Sequence, residues 1–78
     1  MEIKSKHDEL MNEHGEVFNV LVKWFGNMTF NVLHFWDTDD TFYIVIRHKN
    51  GQNNVVTMIR VFWLSSGFEL SVDNSIFL

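Results

Sequence analysis

The chain contains no cysteine, no alanine and no proline, and only four glycines among its 78 residues. Without cysteine there is no disulfide framework, no thiolate zinc site and no thiol nucleophile. The scattered glycines make no phosphate-cradling loop. Basic residues are also few: six Lys and Arg stand against ten Asp and Glu, a formal net charge of −4, which argues against a generic polyanion binder. No apolar run approaches the ~18 residues of a membrane span, so no membrane partner is expected. The opening Met1-Glu2-Ile3-Lys4-Ser5-Lys6 lacks the pattern of a secretory leader, and the expected compartment is the cytoplasm. Alanine and proline have GC-rich codons, so their absence beside abundant Asn, Ile and Phe suggests an AT-rich genome, of the phage or low-GC bacterial kind. Linkers, repeats and low-complexity stretches are missing too, and the length suits one domain.

What the chain has in quantity is aromatic: eight Phe, three Trp and one Tyr. Large rings bury much area each, so a short chain can use them to reach a workable core. Ser5 followed by Asp8 reads as a capping box at a helix start. Beyond it Leu10, His14, Val17, Leu21 and Trp24 recur at helical spacing, flanked by Met11, Phe18, Val22 and Phe25. Gly26 stands where a C-terminal cap belongs. The expectation is one amphipathic helix over about 6–25, with Gly15 as its weak point because interior glycine costs about 1 kcal/mol against alanine. A break there would leave a short helix followed by a strand at 16–24.

After Gly26 the pattern turns to strands. Met28 to Trp36 is β-rich and ends at the turn-forming Asp37-Thr38-Asp39-Asp40. Thr41 to His48 alternates, Asn50-Gly51 is a strong type I′ hairpin signal, Val55 to Leu64 returns, and Ser65-Ser66-Gly67 turns the chain into Phe68–Val72. The tail Ile76-Phe77-Leu78 is apolar enough to dock, and the expected meander has four strands or a short fifth. The expected fold is α+β: an N-terminal helix on one face of a four- to five-stranded antiparallel meander over about 28–72.

A two-residue loop at Asn50-Gly51 sets Ile46 opposite Val55, Ile44 opposite Thr57 and Phe42 opposite Ile59. That side, continued by Val61 and Trp63, carries no charge and is the expected core face. The other side holds Tyr43, Val45, Arg47 and Lys49 against Val56, Met58, Arg60 and Phe62. One helix cannot cover both sides of a sheet, and an apolar patch ringed by arginine marks an interaction surface. Tyr43, Arg47, Met58, Arg60 and Phe62 are therefore candidate contact residues, for a protein partner or for a second copy in a homodimer. Glu9, Glu13 and Glu16 align as an acidic helix face, a second, electrostatic surface able to steer toward a basic partner.

Catalytic and metal chemistry find less support. His7 and His14 lie seven residues apart, too far along a helix to share one ion, so no metal is expected. His34 with Asp37 or Asp39 could act as a base and its orienter, but no nucleophile in a strained turn accompanies them. Asp37, Asp39 and Asp40 lack the length, glycine and glutamate of a calcium loop. Asn27-Met28-Thr29 fits the glycosylation sequon but carries no meaning without secretion. No catalytic residue and no cofactor is assigned. The expected function is a small acidic protein–protein interaction module, an inhibitor or adaptor of phage or mobile-element type acting on a host nucleic-acid-processing protein. The alternative is single-stranded nucleic-acid binding on the open sheet face, where Tyr43 and Phe62 lie among Arg47, Lys49 and Arg60. A small acid–base enzyme is the third reading.

Overall fold

The computed structural model describes residues 5–26 and 29–78. Helix α1 (Lys6–Glu13) and helix α2 (Gly15–Phe25) precede four strands, β1 (Phe30–Asp37), β2 (Phe42–Asn50), β3 (Asn53–Leu64) and β4 (Gly67–Phe77). The strands form one antiparallel sheet in chain order, β1-β2-β3-β4. The α+β meander read from the sequence is the fold. No helix among the described residues is long and apolar enough to cross a membrane. The expected strand start at Met28, like the first two positions of the Asn27-Met28-Thr29 sequon, lies outside the described residues.

The helical segment differs from expectation in one respect. The Ser5 hydroxyl accepts the Asp8 N–H at 3.1 Å and caps α1 as expected. The helix then stops at His14 (φ −136°, ψ 56°), whose N–H bonds Leu10 and whose carbonyl accepts from Phe18 to start α2. His14 thus ends one helix and begins the next, and Gly15 opens α2 where an interior position was expected. The His14 ring lies 4.6 Å from the Phe42 ring and 6.0 Å from Phe35. The stripe is buried as expected except at its end. Leu10, Val17, Phe18 and Leu21 are buried, while Trp24, expected on the apolar stripe, is 46% exposed. Gly26 ends α2 at φ 86°, its N–H bonded to Val22, a backbone state that favours glycine.

The β2–β3 hairpin keeps the expected faces with a different register. Ile46 pairs with Thr57, Ile44 with Ile59 and Phe42 with Val61, each two residues from the expected pairing. The turn residues are Gly51 and Gln52, because Asn50 pairs with Asn53. Gly51 has φ 66° and no non-glycine residue among those described has positive φ. A type I′ turn centred on Asn50-Gly51 would have forced Asn50 into the left-handed region. Placing glycine first fits a type II′ turn, which spares Asn50 and lengthens the ladder. Because side chains alternate with period two, a shift of two leaves every residue on its expected face.

Strand β4 is longer than the expected 68–72 and absorbs the tail. Phe77 pairs with Val55 and the Leu78 N–H reaches the Asn54 carbonyl at 2.9 Å, so no fifth strand forms among the described residues. The ladders are irregular at two places. Leu33 is an extra residue in β1, and Asp73 is one in β4.

Both helices lie on one face of the sheet. Leu10, Val17, Phe18 and Leu21 pack there against Phe30, Val32, Phe42, Ile44, Ile46, Ile59 and Val61. His7 ties α1 to β1: its Nδ1 accepts the Val32 N–H at 3.2 Å, and its ring meets Phe18 edge-on at 5.0 Å. Cover fails toward β4. Phe68 and Leu70 are half-buried against the core, but Val72 and Phe77, on the same side, are exposed.

Candidate interaction surface

The helix-free face is built by alternation along four strands. Tyr43 and Val45 of β2 pair directly with Arg60 and Met58 of β3, and Arg47 pairs with Val56. The bulge at Leu33 resets the alternation of β1. After it, His34 pairs with Val45 and Trp36 with Tyr43, so both join this face. From β4, Glu69 stands opposite Phe62, Ser71 opposite Arg60, Asn74 opposite Met58 and Ile76 opposite Val56.

These residues form a continuous row. His34 stacks on Trp36 at 5.5 Å and 27°, and Trp36 stacks on Tyr43 at 5.1 Å and 19°. The Arg60 guanidinium lies 5.8 Å from the centroids of both Tyr43 and Phe62. Asp73, the extra residue of β4, pairs with Arg60 from the far side. The row therefore runs Trp36–Tyr43–Arg60–Asp73 across all four strands. Beside it Val45, Val56, Met58, Asn74 and Ile76 line a groove of about 230 Å³. A more open cleft of about 460 Å³ at the hairpin end is bordered by Asn31, Arg47, Lys49 and Asn54.

Of the sequence candidates, Tyr43, Met58, Arg60 and Phe62 share this face and are half-buried, while Arg47 is exposed at its end. Stacking of Trp36 on Tyr43, with Arg60 over Tyr43 and Phe62, contributes to that partial burial. It also limits the chemistry available: a nucleic-acid base needs a free ring face, and Trp36 and Tyr43 each give a face to a neighbour. Arg60 is engaged by Asp73, leaving Arg47 and Lys49 as the cations on this face without an ion pair among the described residues. Two phosphate contacts would add little affinity.

The acidic residues lie on two helices and not on the single one expected. Glu9 and Glu13 belong to α1 and Glu16 to the first turn of α2, on either side of the break at His14. Glu9 pairs with Lys6 at 3.1 Å, while Glu13 and Glu16 are exposed. Among the described residues no group of three His, Cys, Asp or Glu is placed to hold a metal ion. His34 stacks with Trp36 on the open face.

Two contributors were not legible as site residues. Trp36 reaches the face only because the β1 bulge resets the alternation, and Ile76 only because the tail continues β4. The aromatic cluster at 34–36 is the one signal in the sequence that could have suggested the first. No family model, no curated protein and no solved structure matches this chain.

Proposed function

We propose that the protein is an interaction module that docks a protein partner on the helix-free face of its sheet. The observation that carries this reading is the unbroken row from Trp36 through Tyr43 and Arg60 to Asp73, with a mostly apolar groove beside it. Tyr, Trp and Arg are the residue types that most often anchor protein interfaces, and rings already held by stacking lose little freedom on binding. A mostly apolar groove, with Asn74 its polar lining residue, suits an apolar side chain from a partner. Exposed Glu13 and Glu16 supply a separate electrostatic surface that would speed encounter with a basic partner. An inhibitor or adaptor acting on a nucleic-acid-processing protein of its host combines these features.

The experiment is affinity capture from lysate of the native host, comparing wild type with Phe62→Glu at low and high salt. The captured protein is expected to survive high salt and to be lost from the variant. Capture unchanged by Phe62→Glu would remove the sheet face from the account. Fluorescence anisotropy with a single-stranded oligonucleotide is the parallel measurement: affinity falling steeply with salt would support the nucleic-acid reading instead. For the acidic surface, charge reversal at Glu13 and Glu16 should slow association with the captured partner and change dissociation less.

A further inference from the structure

Two arginines flank the mostly apolar groove of the open face, one on either side. Val45, Met58 and Asn74 stand in one row across the sheet. The row on one side of them holds Tyr43, Arg60 and Ser71. The row on the other side, toward the β2–β3 hairpin, holds Asn31, Arg47, Val56 and Ile76. The two arginines differ in what they meet. Arg60 pairs with Asp73 of its own chain and lies over two rings. Arg47 is exposed and pairs with no carboxylate among the described residues, and neither does Lys49. Both border the cleft of about 460 Å³, where Asn31 and Asn54 add side-chain amides. From Phe42 to Leu64 the chain carries Arg47, Lys49 and Arg60 but no Asp or Glu, so β2 and β3 offer these cations no counter-charge.

We propose that the partner segment docked on the open face carries a carboxylate beside an apolar side chain, the apolar group seated in the groove and the carboxylate held by Arg47 and Lys49. This rests on the protein-docking reading of that face and adds the chemistry of what docks. Charge complementarity carries it. Of the two arginines beside the groove, Arg60 has its carboxylate in Asp73, and at Arg47 no described residue supplies one. A guanidinium takes a carboxylate through two parallel N–H···O bonds. The Asn31 and Asn54 amides bring further N–H donors to the same cleft. One carboxylate is fully matched by these groups. A phosphate chain would find only two cations, on a molecule of net charge −4 and beside a groove that is mostly apolar.

The strand geometry also sets a spacing and a direction. Val45 and Arg47 are two residues apart on one face, about 7 Å at ~3.4 Å per residue. An extended partner segment presents side chains i and i+2 on one side at that same interval. A helical segment presents i and i+4 about 5–6 Å apart. The motif is therefore an Asp or Glu two residues from a Leu, Ile, Val or Met in a strand, or four residues from it in a helix. The acid lies toward the β2–β3 hairpin, because at the other side of the groove a second carboxylate would meet Asp73.

Selection of random linear peptides displayed on phage against the immobilised protein tests the proposal, with fluorescence anisotropy of the enriched peptides on wild type and variants. Enriched sequences should pair an acid with an aliphatic residue at one of the two spacings. Replacing that acid by its amide should weaken binding to wild type roughly 3–10-fold and change binding to Arg47→Gln little, as a double-mutant cycle requires of a direct pair. A peptide with lysine in place of the acid should prefer Arg47→Glu to wild type. Met58→Ser should abolish binding of every enriched peptide, and Ile76→Ser at the exposed rim serves if Met58→Ser fails to fold. Peptides lost on Met58→Ser but showing no acid, or losing equally on wild type and Arg47→Gln, would overturn the carboxylate and leave the docking face standing. Peptides indifferent to both groove variants, or no enrichment at all, would overturn both. Displacement of the peptides by a single-stranded oligonucleotide, with an affinity falling steeply in salt, would give Arg47 to a phosphate and also overturn the proposal.

Discussion

Thr57 is 2% exposed and is the one buried polar side chain among the described residues. Its hydroxyl sits 2.7 Å from His48 Nε2 and 3.0 Å from Ser75 Oγ, so one group satisfies itself and two neighbours. Thr57→Val keeps the shape and removes both bonds, and stability should fall by about 1–2 kcal/mol in urea unfolding. An unchanged midpoint would mean that water replaces both bonds. Arg60 is the opposite case. Its pair with Asp73 is about one-third exposed on each side, and such pairs contribute roughly 0–1 kcal/mol. Asp73→Asn should therefore barely move stability while releasing Arg60 toward a docked partner. At Gly26 an added Cβ would lie 2.9 Å from the Thr29 hydroxyl at φ 86°. Gly26→Ala should cost about 1 kcal/mol or more through backbone strain, read as a lower melting temperature.

At the scale of elements, the helix break and the hairpin register show what the sequence could convey. Periodicity made the helical segment and both faces of the hairpin legible, because burial repeats every 3.6 or every two residues. It could not place the stop at His14. Gly15 marked the weak point one residue away, but the His14 ring lies against Phe35 and Phe42, some 21 and 28 residues further along the chain, and no local pattern encodes those contacts. Gly15 remains a test of the junction. It opens α2 with φ not positive and nothing within 4 Å of an added Cβ. Gly15→Ala should stabilise by roughly 0.5–1 kcal/mol through the unfolded chain's lost freedom, and a loss of stability would contradict the junction geometry. The hairpin pairing moved by two because Asn-Gly can occupy either of two turn frames, and only the ladder length decides between them. Bulges at Leu33 and Asp73 were invisible for a similar reason: each inserts one residue into an otherwise regular alternation. The consequences for the site were large. Without the first bulge Trp36 would leave the open face, and without the second Arg60 would lose its partner.

For the whole molecule, one helix layer covers part of a sheet that is wider than it. A helix layer covers only one face of a sheet, and here that face itself extends past the helices at β4. Two surfaces result, a mixed one of stacked rings and an arginine, and an uncharged, largely apolar one along the edge. Their chemistry differs, and so do the partners each suits. The central claim is that the mixed face receives a protein partner, and methyl-resolved NMR titration with the captured partner tests it most directly. Val45, Met58 and Ile76 methyls lie on the open face, Leu21 and Ile44 in the core, and Val72 on the flank. Shifts concentrated at Val45, Met58 and Ile76, with Leu21, Ile44 and Val72 unmoved, are the expected result. Shifts confined to Val72, or to the helices, with the open-face methyls unchanged, would contradict it.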